Sequence, residues 1–199
     1  MSSHPVELRV EPPPYTERIH VVIRILLLVA LGMVGFSWAY CFLYLVLPAL
    51  VALRLLNRGS ERTFAEDAPR VVRVLRWLAS ACAYLALLTD VLPTADGSPV
   101  DLAVRPSGTP TATSALLRLL TSLPAVVVLA LASVAAGILW IVGAALALVR
   151  RRMPRAIADF LALVLRYQFR LVAYHLSLVD RYPSFEESRA AHAAGSSAA

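Results

Sequence analysis

Two long stretches of this sequence carry no charged residue, and they restrict the possible fold more than any other feature. One runs from Ile25 to Leu53 (29 residues) and the other from Leu119 to Val149 (31 residues). A helix needs about 20 apolar residues to cross the hydrocarbon core of a bilayer, so each stretch is long enough and leaves length for tilt. Apolar side chains make up 59% of the chain, above the roughly 45–50% of a soluble domain. The sequence therefore predicts an integral membrane protein.

A second feature is an internal repeat, which indicates how these stretches are organised. The segment Val164–Phe185 aligns with Val74–Thr94 at an offset of about 90 residues, and about 8 of 21 aligned positions are identical. Each copy follows one of the long uncharged stretches. The pattern therefore predicts two tandem helical hairpins, each made of a long apolar helix and a shorter helix of mixed polarity.

The predicted fold is an all-α membrane protein with four helices, from two hairpins related by a pseudo-twofold axis along the membrane normal. The predicted units are an N-terminal arm (residues 1–18), the first hairpin (19–93), a linker loop (94–113), the second hairpin (114–185) and a disordered tail (186–199). The predicted helices cover about residues 17–57, 68–92, 114–152 and 154–179. Residues 6–11 alternate apolar and charged side chains, which is typical of a strand. A strand this short needs a partner, so a short extended arm, an interfacial arm and a disordered segment are the open alternatives.

Charge predicts the orientation. All 19 basic residues are Arg, the net charge is +6, and Arg is more frequent after each long helix than before it. Arg accumulates on the cytoplasmic side, so both long helices are predicted to run inward, with four spans in a bacterial inner membrane. The open alternative is that the second and fourth helices lie in the interface. Arg166 or Arg170 at the bilayer centre would each cost about 2.5–3.5 kcal/mol.

Seven polar side chains on or beside the two shorter helices are the candidate site. They are Arg76, Tyr84, Asp90, Arg166, Arg170, Tyr174 and Asp180. One interpretation is a polar site between the halves that binds an anionic headgroup or a small anion, because an ionisable residue inside a membrane is a functional hypothesis by default. The other is structural: Arg and Asp cap helix ends, and the Arg–Tyr stripe holds the halves together.

The sequence predicts no metal site, no cofactor and no catalytic centre. Its two cysteines, Cys41 and Cys82, lack the spacing of metal ligands, and no Ser/His/Asp grouping, paired-carboxylate spacing or Gly-rich phosphate loop is present. Nucleic acid is not an expected partner, because the Arg residues lie where membrane topology requires positive charge.

The repeated segment resembles a bacterial membrane protein family, the domain of unknown function 4389. The family pattern is an Arg-Trp pair, an Arg, an Ala-Tyr pair and a closing Asp-x-Tyr-Pro-Pro-Phe. The second copy carries Arg166-Tyr167, Arg170, Ala173-Tyr174 and Asp180-Arg181-Tyr182-Pro183-Ser184-Phe185, and the first carries Arg76-Trp77, Ala83-Tyr84, Asp90 and Pro93, with Ser80 in place of the second Arg. The resemblance implies a helical membrane architecture in two copies and no assigned activity.

Three functions follow as hypotheses. The first is a non-enzymatic membrane scaffold or accessory subunit that interacts with lipids, with other membrane proteins or with further copies of itself. The alternative is a protein that binds or transports lipid headgroups or small solutes through the Arg/Tyr/Asp stripe. A weaker third class is a membrane enzyme that acts on lipids.

Overall fold

The computed structural model describes residues 5–10, 13, 16–34, 46, 49–50, 53–54, 60–93, 100–105 and 112–184. The chain order of the elements is β1 (Val6–Val10), α1 (Arg18–Val34), α2 (Ser60–Leu85), β2 (Val100–Val104), α3 (Ala112–Thr121), α4 (Leu123–Arg150) and α5 (Arg155–His175). The predicted disordered tail and the cysteine at position 41 lie outside the described residues.

The N-terminal arm finds its strand partner in the segment that was predicted to be a linker loop. β1 and β2 pair antiparallel, with Leu8 opposite Leu102 at the centre. The prediction of a loop at residues 94–113 is therefore wrong at residues 100–104. Val100–Val104 alternates in the same way as β1, and the Pro, Gly and Ser residues on either side obscure this pattern. We call the paired strands the ribbon.

The ribbon has one apolar face and one polar face. Its apolar side chains, Val6, Leu8, Val10, Val100, Leu102 and Val104, all belong to or pack against the main hydrophobic core. The residues between them, including Glu7, Arg9 and Asp101, point the other way, as the two-residue strand period requires. The ribbon therefore covers the core with one face and exposes charges on the other.

Two helices form the layer beneath the ribbon. β1 packs on α5 and β2 packs on α2, while α4 packs on the length of α5. The largest cluster of buried side chains joins the ribbon to α2 and α5, with Leu75, Ala79, Leu165 and Phe169 among its members. Helix α5 is buried on almost every side, because the ribbon covers one face and α4 another.

Helices α4 and α5 are antiparallel neighbours. Gly143, near the end of α4, lies against Ile157 at the start of α5. At the other end, the imidazole Nε2 of His175 lies 2.7 Å from the hydroxyl of Ser122. The two helices therefore stay in contact over most of their length, which confirms the predicted helical content of this half.

The predicted third helix is divided in two. Ser122 separates α3 from α4, and Pro124 occupies the first turn of α4, where its missing N–H costs no intrahelical hydrogen bond. A break at Ser122 therefore interrupts the span 114–152, which the sequence predicts to be one helix. Helix α2 begins at Ser60 rather than Ala68 and ends at Leu85 rather than Leu92.

Helices α1 and α4 run in opposite directions where they touch. The backbone N–H of Thr16 donates to the carbonyl of Arg151 (3.1 Å), just past the end of α4. One turn into α1, Val21 clusters with Ala147 and Ala144. The prediction that the long helices are parallel is wrong for these residues, and a pseudo-twofold axis along the membrane normal does not agree with them. The excess of Arg at one end of a helix is a property of that helix, and it does not determine the direction of the helix packed beside it.

Among the described residues, α4 alone is long and apolar enough to cross a membrane. Only 17% of its most apolar window is buried inside the protein. A core helix of a soluble protein of this composition is mostly buried, so this exposure distinguishes α4 from such a helix.

The contact between α4 and α5 gives a test. A Cβ atom at Gly143 would lie 2.9 Å from Met153 Cε and 3.3 Å from Ile157 Cγ2, whereas a Cβ atom at Gly137 meets nothing within 4 Å. We expect Gly143→Val to lower the free energy of unfolding by about 1–3 kcal/mol through overpacking, and Gly137→Val to change it less. Thermal unfolding in detergent measures both variants. Equal destabilisation by the two would contradict this packing.

Candidate functional site

The seven predicted site residues do not form one site. Three of them, Arg76, Arg166 and Arg170, bind the ribbon. Tyr84 and Asp90 lie at the end of α2, and Tyr174 and Asp180 lie at the end of α5. The structure therefore separates the set into a ribbon contact and two helix-end clusters.

The ribbon contact uses carbonyl groups that point away from the partner strand. Arg105 donates its N–H to the carbonyl of Pro5 (2.9 Å). This bond fixes which residue pairs of the ribbon are hydrogen-bonded and which direct their backbone groups outward. In that register the carbonyls of Val6, Leu8 and Leu102 face the outer edges of the ribbon. Guanidinium groups can reach them there from the helices below.

Each edge of the ribbon receives Arg donors from the helix beneath it. On the β1 edge, Arg166 Nε donates to the Leu8 carbonyl (3.1 Å) and Arg170 Nε donates to the Val6 carbonyl (3.2 Å). On the β2 edge, Arg76 Nε donates to the Leu102 carbonyl (3.0 Å). Arg170 is only 2% exposed, so its charge is held inside the protein. These contacts fasten the N-terminal arm to the C-terminal half of the chain.

The first helix-end cluster is built around Arg24 of α1. Its Nη2 donates to the carboxylate of Asp90 (2.6 Å) and to the carbonyl of Thr89. The guanidinium lies over the ring of Tyr84, 4.3 Å from the centroid, a cation–π arrangement. The Tyr84 hydroxyl is 3.0 Å from Nδ1 of His20. Arg24 therefore joins the start of α1 to the end of α2.

The second helix-end cluster is built around Arg118 of α3. Its Nη1 donates to the carbonyls of Tyr174 (3.1 Å) and Val179 (2.9 Å), and its Nη2 pairs with the carboxylate of Asp180. The guanidinium lies 4.9 Å from the ring centroid of Tyr174. The Tyr174 hydroxyl is 3.3 Å from that of Thr121.

Corresponding residues of the two clusters are separated by 90 or 94 residues in the sequence. Tyr174 and Asp180 each follow Tyr84 and Asp90 by 90 residues, and Arg118 follows Arg24 by 94. The ribbon contacts correspond in a similar way. Arg166 follows Arg76 by 90 residues, and the residues that accept their hydrogen bonds, Leu8 and Leu102, are paired in the ribbon.

The local backbone explains how each Asp reaches its Arg. Leu87 (φ 63°) and Ser177 (φ 57°) both have left-handed backbones, just after α2 and α5. Leu88 donates its N–H to Ala83 (2.9 Å), and Leu178 donates to Ala173 (3.0 Å). This pattern ends a helix with a tight left-handed turn. Each turn directs the chain back, so that Asp90 meets Arg24 of α1 and Asp180 meets Arg118 of α3.

The sequence analysis missed Arg24 and Arg118, which are the centres of the two clusters. A signal for them is present, because each immediately precedes one of the two long uncharged stretches. An isolated charge at the start of such a stretch indicates a residue with a specific partner. Its partner is 66 or 62 residues away, and spacing along one helix does not reveal such a pair.

The two clusters also differ. In the first cluster, Arg24 is 0% exposed, and its Nε and Nη1 have no hydrogen-bond partner. In the second cluster, burial and the nearby charge of Arg118 lower the pKa of His175 to about 4. The imidazole is therefore neutral at neutral pH, and a neutral imidazole can share a proton with the Ser122 hydroxyl.

The described contacts are those of a structural network. Arg side chains bind carbonyls and carboxylates of the same chain, and the Tyr rings pack beneath them. Within the described ranges, no three His, Cys, Asp or Glu side chains come together as metal ligands. The structure supports the structural interpretation for Arg76, Arg166 and Arg170, since their donors serve the ribbon.

Removing one ribbon contact should weaken the attachment of the arm. In Arg170→Met the Val6 carbonyl loses its charged donor, and we expect the free energy of unfolding to fall by about 1–3 kcal/mol. Limited proteolysis should then cleave the chain before Thr16 faster than in the native protein. The control is Arg73→Met, because Arg73 is exposed on α2. If both variants resist protease and heat equally, the contact contributes little.

Comparison with known proteins gives one match. Residues 112–186 match the model of a family described as a domain of unknown function (DUF4389). The matched residues include α3, α4, α5 and the whole second helix-end cluster. Neither a curated protein nor a solved structure matches this chain. The match supports, for the C-terminal part of the chain, the family resemblance that Arg166, Arg170 and Asp180 indicated.

Proposed function

We propose that the protein is a non-enzymatic scaffold embedded in a membrane, acting as an accessory partner of other membrane proteins or of further copies of itself. The observation that carries the proposal is a set of large apolar side chains exposed on α1, α3 and α4. We call it the apolar face. Its large side chains are Ile19, Val22, Ile23, Leu26, Leu27, Val29, Leu117, Leu120, Leu123, Val127, Val128, Leu131, Val134, Ile138, Ile141, Val142 and Val149.

The extent of the apolar face supports a lipid environment. Leu131 is 69% exposed and Val149 is 73% exposed, although they are more than four turns apart on α4. Soluble monomers rarely expose a contiguous apolar patch larger than a few hundred Å². In a bilayer the same side chains contact acyl chains and incur no hydrophobic penalty.

The use of the Arg residues supports a scaffold rather than an enzyme. Arg76, Arg166 and Arg118 each donate to backbone carbonyls of distant segments. A guanidinium held in this way stabilises a fold. The network makes the core of the protein rigid while the apolar face remains available to the membrane.

The proposal includes a tandem arrangement in which residues 6–93 and 100–184 are two copies of one unit. The similar offsets, 90 and 94 residues, support it, because strand, Arg, left-handed turn and Asp recur in the same order. In this arrangement each copy lends its strand to the other: β1 is bound by Arg166 and β2 by Arg76. The exchange joins the copies more firmly than surface packing alone.

Membrane extraction tests the proposed function. We expect the full-length protein to stay in the membrane pellet after high salt and after alkaline carbonate, and to be released by detergent. The double variant Leu131→Asp with Ile138→Asp should shift the protein toward the soluble or aggregated fraction. The matched control is Ala103→Asp, on the polar face of the ribbon. Release of the native protein by carbonate without detergent would rule out the proposal.

A second candidate function, binding of an anionic headgroup, is favoured by one observation. Arg24 has two buried nitrogens without a partner, while Nη1 of its counterpart Arg118 donates to two carbonyls. If an anion binds at Arg24, Arg24→Gln should reduce the anionic lipid that copurifies by several fold, and Arg118→Gln should leave it unchanged. Equal lipid content in both variants and in the native protein would exclude this function.

A further inference from the structure

The ribbon and α4 contact different faces of α5. The ribbon packs on α2 and α5. Helix α1 also packs on α2, and α4 also packs on α5. The main cluster of buried side chains extends from Leu8 and Leu102 of the ribbon to Trp140 on the inner side of α4. The protein is therefore polar at the ribbon and apolar along α1 and α4, with α2 and α5 between.

The outer face of the ribbon needs water. The side chain of Arg9 is 81% exposed, and Asp101, its neighbour across the ribbon, is also exposed. Ionised side chains facing lipid at the bilayer centre are rare because their desolvation is costly. Open sheet edges are likewise not found facing lipid within the hydrocarbon region.

The ribbon also lies at a defined level along the helices. β1 runs beside the middle of α5, since Val6 meets Arg170 and Leu8 meets Arg166. Helix α5 in turn lies along α4, from the Ile157–Gly143 contact to the end of α5. If α4 crossed a bilayer perpendicular to its plane, α5 would cross beside it, and the charged face of the ribbon would lie in the hydrocarbon.

We infer that α4 and α5 do not span the membrane but lie along one surface of it, with their axes near the membrane plane. The apolar face sinks among the acyl chains of one leaflet, and the ribbon faces the aqueous phase. This inference rests on the proposed membrane function and specifies its geometry. Interfacial proteins are held in this way by apolar side chains inserted about 5–10 Å below the headgroups.

The exposed residues of α4 agree with this placement. From Leu123 to Val149 every exposed position of the helix is apolar, so a whole side of the helix, and not only its middle, is suited to acyl chains. Exposed Arg residues gather where α4 ends, at Arg150, Arg151 and Arg152. From the end of α4, their guanidinium groups can extend to lipid phosphates while the aliphatic parts of these side chains remain among the apolar groups.

Cysteine labelling of the full-length protein tests the inference. In a background of Cys41→Ser and Cys82→Ala, single cysteines are placed at Arg9 on the ribbon, at Thr113 at the start of α3 and at Arg152 beyond the end of α4. A membrane-impermeant maleimide is applied to spheroplasts and, separately, to inverted vesicles. A fourth variant, Ile138→Cys, reports on the apolar face.

We expect Arg9→Cys, Thr113→Cys and Arg152→Cys to label in the same one of the two preparations, at least tenfold faster than in the other. Ile138→Cys should label in neither until detergent is added. Labelling of Thr113→Cys and Arg152→Cys from opposite sides would overturn the inference and show that α4 spans the bilayer. Protection of Arg9→Cys in both preparations would also overturn it.

The test separates this inference from the proposed function. If Ile138→Cys labels rapidly in both preparations, or the protein is found in the soluble fraction, the membrane function itself fails. If Ile138→Cys is protected but the two ends of α4 label from opposite sides, the membrane function stands and only the in-plane placement fails.

Discussion

The structure depends on hydrogen bonds from guanidinium groups to the outward-facing carbonyls of a two-stranded ribbon. A ribbon of two five-residue strands is at best marginally stable alone, and its outer edges offer unpaired backbone groups. Arg166 and Arg170 supply donors to one edge, and Arg76 supplies a donor to the other. The apolar face of the ribbon can then cover α2 and α5 without leaving those carbonyls buried and unsatisfied, which would cost more than the bonds contribute.

The same helices are fixed a second time at their ends. Arg24 and Arg118 each bind a carboxylate and a carbonyl that a left-handed turn brings back toward them. Both guanidinium groups are buried, so loss of the partner carboxylate would leave a buried positive charge with fewer partners. The ribbon and the two clusters together hold α1, α2, α3 and α5 in one arrangement. Helices α1, α3 and α4 nevertheless bury little of their own surface.

The distribution of polar and apolar side chains determines which environment suits this arrangement of helices. Charge lies on the ribbon and in internal pairs, while the side chains of α1 and α4 that face outward are apolar. A protein with these two faces suits the boundary between water and lipid better than either phase alone. The polar residues that first suggested a binding site are mostly engaged within the fold, and the surface that remains unpartnered is the apolar one.

The sequence by itself determined the apolar helices, the alternating arm and the recurring Arg, Tyr and Asp motif, because each is a local pattern of burial or capping. The helical character of residues 123–150 and 155–175 was predicted correctly, as was the need of the arm for a partner. Only the tertiary structure decided that the partner is Val100–Val104, that Arg24 and Arg118 pair with Asp90 and Asp180, and that α1 runs antiparallel to α4. The physical reason is that periodicity shows which face of a segment avoids water, whereas the segment that covers this face lies 60 to 160 residues away and is selected by packing in three dimensions.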